Sequence, residues 1–420
     1  MESLDFIKEC ENDLALCFSN LEDIAYHNQK KILKAFQNNR VALRHFYGST
    51  GYAYDDVGKE TLNKIYAEVF DCERAIVTPL ITGGTHALFL ALSSILRPGD
   101  TLLSITGEPY DTLIEAINGT EGQDNGSLKD FGINYQQIDL LNGHIDEEQA
   151  LMAIKETLPK VVYLQRSRGY GLRNALSCSE FESIIKKIKE IHANSIIFVD
   201  NCYGEFVEKI EPTSVGADIV VGSLCKNPGG GIVPIGGYVA GKSKVVELVE
   251  KRLTAPSIGL EVGGYEPGYR LFYQGLFMAP TTVKNALKGA YLIGRVMERL
   301  GYSVFPASND QTFDIVKSVI FNTEEELVKF VQLVQKCSPV DSDATPMPWD
   351  MPGYDSKVIM AAGTFVQGAS IELSCDSPIK SPYVAYFQGG LTYDHIKILA
   401  EEMYKEYRWK KWSHVWLHFI

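Results

Sequence analysis

Residues 196–206, IIFVDNCYGEF, and residues 218–231, DIVVGSLCKNPGGG, each carry a short apolar run that breaks into turn-forming sequence. Runs of this length, rich in β-branched residues and without polar alternation, predict strands buried on both faces. Asp200 ends the first run, and Lys226 follows the second, ahead of three glycines at 229–231. In open parallel sheets the functional crevice lies at the carboxyl ends of the strands. An acid and a lysine are therefore expected at that edge.

Working outward, further strand-like runs fall at 75–79, 102–106, 133–138, 161–165 and 237–240. Helical patterns at 85–96, 147–157, 179–192 and 244–253 separate them. Alternation of this kind predicts an α/β unit with a mostly parallel, seven-stranded sheet. Residues 3–37 have helical spacing and lead into HFYGSTGYAYDDVG at 45–58, a Gly- and Tyr-rich stretch. Downstream, a helix is expected at 282–300, then strands at 315–321, 358–362 and 369–373 and helices at 324–336 and 393–407. The expected organisation is a helical arm at 1–60, a large domain at 61–285 and a smaller C-terminal α+β domain at 286–420. The aromatic and basic stretch at 407–420 suggests a packing or interface segment.

Composition bounds the classes. The chain has 420 residues and a net charge of -13, which disfavours a nucleic-acid partner. No apolar run approaches the roughly 20 residues of a membrane helix, and the acidic start is unlike a signal peptide. Eight cysteines lie scattered without a CxxC pair, and the eight histidines show no ligand spacing, so no metal site is expected. A cytoplasmic enzyme of small molecules is the simplest expectation.

The strand ends carry the chemistry. A carboxylate at Asp200 would be costly to bury without a cation, and a protonated pyridine nitrogen is one. Its plain alternative is a helix cap. The Lys226 amine could form an imine with an aldehyde cofactor such as pyridoxal phosphate and later move protons, where the alternative is a surface lysine. Gly83, Gly84 and Thr85 open a helix and suit a single phosphate, with Ser223 as a hydroxyl donor. His86 reads as a packed histidine or a first-turn donor. Tyr110 could stack on a pyridine ring or simply pack in its loop. Ser167 and Arg168 could meet cofactor or substrate carboxylate, or form a solvated turn.

Five successive strand ends thus offer a phosphate cradle, a ring, polar contacts, an acid and a lysine. That order resembles the fold-type-I pyridoxal-phosphate enzymes. VDNCYGEF beside SLCKNPGGG resembles the Cys/Met-metabolism branch, and within it the methionine gamma-lyase-like, aluminium resistance group. The likeness extends through YGSTGYAYDDVG, ITGGTHALFLAL, GEPYDT, LQRSRGY, YRLFYQGLFMAP, MPGYDSKVIMAAGTFVQGASIELS and QGGLTY. It implies a carbon-sulfur lyase giving 2-oxo acid, ammonia and thiol, with a fold-type-I transferase architecture. It implies Lys226 as the Schiff-base lysine, Asp200 as the ring-nitrogen partner, Gly84, Thr85 and Ser223 as phosphate ligands and Tyr110 as the stacking ring. It also implies that Tyr52 and Tyr54 reach a neighbouring subunit's cofactor in a dimer or dimer of dimers. Two positions depart from the pattern. Cys225 stands where related lyases carry Thr, and Lys380 stands where Arg is expected against a substrate carboxylate.

Other classes compete. An aminotransferase or another amino-acid elimination enzyme shares the constellation. GGYVAGKS at 236–243 fits the P-loop letter for letter and would imply an NTPase, although its apolar centre is strand-prone. A non-catalytic member of the fold would lack the cofactor.

Overall fold

The computed structural model describes residues 2–120, 124–351 and 356–408, so most of the aromatic and basic C-terminal stretch lies outside the described residues. The chain divides into two compact units, His27–Ala279 and Met1–Tyr26 with Pro280–Ile420. The stretch read as one arm, 1–60, is thereby shared between them.

The unit at His27–Ala279 is built on seven strands: β1 (Arg74–Thr78), β2 (Thr101–Ser104), β3 (Asn134–Gln137), β4 (Val161–Gln165), β5 (Ile196–Asp200), β6 (Ile219–Ser223) and β7 (Gly237–Gly241). Their order across the sheet is β1-β7-β6-β5-β4-β2-β3. The pairs from β3 to β6 are parallel, and β7 runs antiparallel between β1 and β6. This is the mostly parallel α/β sheet expected from the sequence. The apolar runs become its centre because helices cover both faces. Tyr163, Phe198, Val221 and Val239 are buried together with Leu88, Ala91 and Leu92 of the helix Gly84–Ile95. β3 differs: its NYQQ sequence is largely exposed at the sheet edge, where one flank needs no apolar cover.

The P-loop-like stretch is β7 itself. Its backbone amides are spent in ladders with β1 and β6. Lys242 pairs with Asp218 at 2.6 Å, and the Ser243 N–H donates to Glu73 at 2.8 Å. An amide committed to a sheet cannot cradle a phosphate, so the NTPase reading falls.

The second unit carries an antiparallel sheet of β8 (Ser303–Phe305), β9 (Val316–Phe321), β10 (Val358–Ala361), β11 (Ser374–Pro378) and β12 (Tyr383–Gln388) in the order β10-β11-β12-β9-β8. Helices Glu324–Lys336 and Tyr393–Tyr407 cover it through Phe330, Val331 and Met403. The strand expected at 369–373 is a turn instead. The Glu372 carboxylate accepts the N–H groups of Phe365 and Val366, both at 2.9 Å, and winds the segment back on itself. The helix expected at 282–300 is longer, running over Arg270–Arg299, and the first helix breaks at Leu14 into Ser3–Asp13 and Ala15–Asn38. Among the described residues, no helix is long and apolar enough to cross a membrane.

Candidate active site

Parallel register sets Gln165 at the end of β4 beside Asp200 at the end of β5. Asp200 is buried, and two donors hold its carboxylate: the Cys202 N–H at 3.0 Å and the Tyr163 hydroxyl at 3.3 Å. Burial raises its carboxyl above the ordinary aspartate range, and the positive charge of Lys226 is the strongest force pulling it back. Next to it, Gln165 accepts the backbone N–H of Tyr110 at 3.0 Å and donates to the Ser167 carbonyl at 3.1 Å. Tyr110 caps the start of the helix Asp111–Asn118, and its hydroxyl lies 2.6 Å from the Thr85 hydroxyl. A contact between residues 85 and 110 ties two strand-end loops together.

The glycine pair stands at the start of a helix, which runs from Gly84 with Gly83 before it. Its first-turn N–H groups have no partner within the helix. Gly84 sits close under the next loops: a Cβ there would stand 3.5 Å from the Ser223 Cβ and 3.6 Å from the Cys202 sulfur. The Ser223 Oγ accepts the Cys225 N–H at 3.2 Å, which tightens the turn into Lys226. His86 is neither packed nor turned into this hollow. It is exposed, and its Nδ1 accepts the Thr82 N–H at 3.1 Å.

Lys226 stands over an aromatic ring, its Nζ 4.1 Å from the centre of Tyr203. Such a contact is worth about 2 kcal/mol when desolvated. Burial lowers the tendency of this amine to be charged, but the acidic groups around it, Cys202, Tyr203, Asp200 and Tyr110, overcome that and raise it above the ordinary lysine value. Tyr203 adopts φ 68 and Phe206 φ 62, left-handed conformations that bulky side chains avoid. Strain of this kind, about 1–3 kcal/mol at each residue, persists only where the surroundings impose it.

Here a buried arginine imposes it. Arg166 follows β4 and is fully enclosed. Its Nη1 donates to the Asn201 side chain at 2.9 Å and to the Gly204 carbonyl at 2.7 Å, and lies 3.5 Å from Glu211. Its Nη2 donates to Glu208. The turn that follows Asp200 is thus clamped on both sides of Tyr203. The sequence points to the neighbours Ser167 and Arg168 instead. Arg168 is also buried, at 2% exposure, so a solvated basic turn is excluded. The sequence held one cue for Arg166: the acids Glu205, Glu208 and Glu211 recur every three residues just after the Asp200 strand. Tyr163, Gln165 and Tyr203 were missed as well, because they sit inside or beside apolar runs.

The remaining candidates lie elsewhere. Tyr52 and Tyr54 are exposed and stack on each other at 5.6 Å. Lys380 is exposed on the hairpin between β11 and β12, in the other unit.

Comparison with known proteins places the chain. The model of the family described as methionine gamma-lyase matches residues 3–407. The chain belongs to the methionine gamma-lyase family. A member of similar length is the YnbB protein of Bacillus subtilis (strain 168), 48% identical over 390 residues, covering 93% of this chain and 92% of that one. The crystal structure of a carbon-sulfur lyase involved in aluminum resistance from Clostridium novyi NT is 47% identical, with a TM-score of 0.91 over 95% of this chain and 94% of that one. Cystathionine gamma synthase from Xanthomonas oryzae pv. oryzae shares the fold at 15% identity, with a TM-score of 0.59 over 90% of this chain and 97% of that one. The family architecture is therefore that of the fold-type-I pyridoxal-phosphate enzymes.

Proposed function

We propose that this chain is a pyridoxal 5'-phosphate enzyme that breaks a carbon-sulfur bond in an amino acid and releases a thiol, ammonia and a 2-oxo acid. One observation carries the reading: buried Asp200 ends β5 and half-buried Lys226 follows the adjacent β6, close enough for its charge to act on that carboxylate, in a chain of the methionine gamma-lyase family. The carbon-sulfur lyase from Clostridium novyi NT supports the reaction class.

The donor set fits the cofactor. The helix start at Gly84 and Thr85, with Ser223 beside it, offers donors to a phosphate. Tyr110 offers a ring face. Asp200 offers a carboxylate whose burial is tolerable opposite a ring cation. Lys226 offers the amine that an aldehyde requires. When bound, the cofactor supplies an electron sink for the charge left at Cα.

The chain's own groups do the rest. Tyr163 and the Cys202 N–H fix the direction of the Asp200 carboxylate. With the cofactor bound, the Lys226 amine would take the Cα proton at Nζ. An electron pair on the carbon skeleton would then form a carbon-carbon double bond as the carbon-sulfur bond breaks, sulfur would leave with the bonding electrons and take a proton, and water would replace nitrogen on the skeleton and release it as ammonia. Arg168 is the proposed contact for the substrate carboxylate in this unit; Lys380, in the other unit, is proposed to offer a carboxylate a single charge rather than a fork. Tyr52 and Tyr54, exposed and stacked, are proposed to reach the cofactor of a second copy, so the working unit is a homo-oligomer. The cytoplasm is proposed as its compartment.

The test is a screen of L-cystathionine, L-methionine and L-cysteine with the purified protein and added cofactor. Thiol, ammonia and 2-oxo acid in equal amounts support the proposal. Amino transfer to an added 2-oxo acid, with no thiol or ammonia, would replace it with an aminotransferase.

A further inference from the structure

Beneath the Lys226 loop lies a second carboxyl group that the proposed reaction does not use. Glu205 is fully buried. Its Oε1 accepts the Tyr238 hydroxyl at 2.9 Å, and its Oε2 is buried without a partner. The carboxyl lies flat against β6, since a Cβ on Gly222 would stand 2.6 Å from Oε1. Gly222 precedes Ser223. The backbone carbonyl of Glu205 accepts the side-chain amide of Asn227 at 3.0 Å, and Asn227 follows Lys226 directly. The Asn227 Oδ1 is likewise buried without a partner, as is the Tyr66 hydroxyl from the helix Val57–Val69.

We propose that Glu205 is a positioning residue for Lys226: its carboxyl, anchored on Tyr238 behind the sheet end, fixes the turn whose backbone carbonyl holds Asn227, and through it the loop that holds the amine over Tyr203. The inference rests on the reading of Lys226 as the cofactor lysine.

The groups around Glu205 decide its charge. Tyr238 faces it from β7, Tyr66 from its helix, and Asn227 and Lys226 from the loop after β6. Cys202 and Glu211 lie on its own turn. Arg166, which could neutralise it, is committed to Asn201, Gly204, Glu208 and Glu211. An ionised carboxylate with one bare buried oxygen is costly, and the neutral acid avoids that cost. Burial accordingly pushes the Glu205 carboxyl up to about 8, against the pull of Tyr238 and Lys226. At neutral pH it is an acid that braces the loop. Above about 8 it becomes an anion behind Lys226, and an anion there favours the protonated, unreactive amine.

The experiment compares the full-length wild type with Glu205→Gln and Glu205→Ala, using pyridoxal 5'-phosphate as probe. The readout is the rate at which borohydride fixes the probe on Lys226, across pH 6 to about 10. Gln keeps the acceptor for Tyr238 and with it the anchor of the turn, so it rescues the wild-type rate at neutral pH. It also removes the flattening that the wild type shows above about 8. Ala is slower at every pH by about tenfold, the equivalent of one lost buried hydrogen bond. The infrared carbonyl band of a buried neutral carboxyl, present in the apo wild type and absent from Glu205→Gln, checks the charge without any cofactor. Identical curves for wild type and Gln, or wild-type rates for Ala, overturn the inference alone. No fixation on the wild type at any pH removes the reading of Lys226, and this inference with it.

Discussion

Replacing Arg166 by Met keeps most of the side-chain volume and removes only its charge and its donors. In the structure that strips a partner from Asn201, Gly204, Glu208 and Glu211 at once. Breaking a buried ion pair from one side costs about 3–5 kcal/mol. Glu211 is 1% exposed and is left with only the neutral Asn201 amide and Phe206 N–H as donors, whereas Glu208 is 16% exposed and is partly relieved by water. A loss of about 3–4 kcal/mol is therefore expected, or two to three powers of ten in the opening equilibrium. All four tryptophans lie outside 27–279, so tryptophan emission would not follow this unit. Amide hydrogen exchange over residues 196–211 would. Exchange there should quicken by two to three powers of ten. The strained Tyr203 turn should relax, and the affinity for pyridoxal 5'-phosphate should fall at least tenfold. The double variant Arg166→Met with Glu211→Gln should be milder than the sum of the singles by about 2 kcal/mol. Exchange changed by less than about 1 kcal/mol, or strict additivity, would refute the clamp. The expected destabilisation with unchanged cofactor affinity would refute its link to the site.

Asp200→Asn should keep the fold but lower lyase turnover by at least a hundredfold, measured as thiol release at saturating cofactor, because the carboxylate charge is lost. Tyr110→Phe breaks the 2.6 Å contact with Thr85 and should weaken cofactor binding about tenfold in a spectroscopic titration. Gly229→Ala should abolish cofactor binding, since its Cβ would lie 1.7 Å from the Leu224 carbonyl oxygen and the Lys226 loop could not close. Glu205 binds its proton more tightly folded than unfolded, so its contribution to stability is complete below its ordinary value of 4.5 and is lost as pH rises through about 8. Unfolding free energies from urea titrations should fall over that window by at most about 5 kcal/mol in the wild type, and much less in Glu205→Gln.

The sheet was legible because its central strands are apolar at almost every position, so length and flanking turns were enough to find β4 through β7. Asp200 and Lys226 were legible for the same reason, as polar residues set at the ends of those runs. β11 was not, because SCDSP is polar and ends in proline, while the apolar alternation at 369–373 was diverted into a turn by Glu372. Arg166 and Glu205 could not be assigned from the sequence either. What makes them matter is enclosure by partners more than 30 residues away, Glu208 and Glu211 for the one and Tyr238 for the other. Sequence spacing does not record which polar side chain in a turn is buried.

The central claim is that Lys226 holds the cofactor opposite Asp200. Purified protein loaded with pyridoxal 5'-phosphate, reduced with borohydride, digested and examined by mass spectrometry tests it directly. A phosphopyridoxyl group on Lys226, absent from Lys226→Ala, is the predicted result. A modification spread over surface lysines, or retained in Lys226→Ala, would contradict the account.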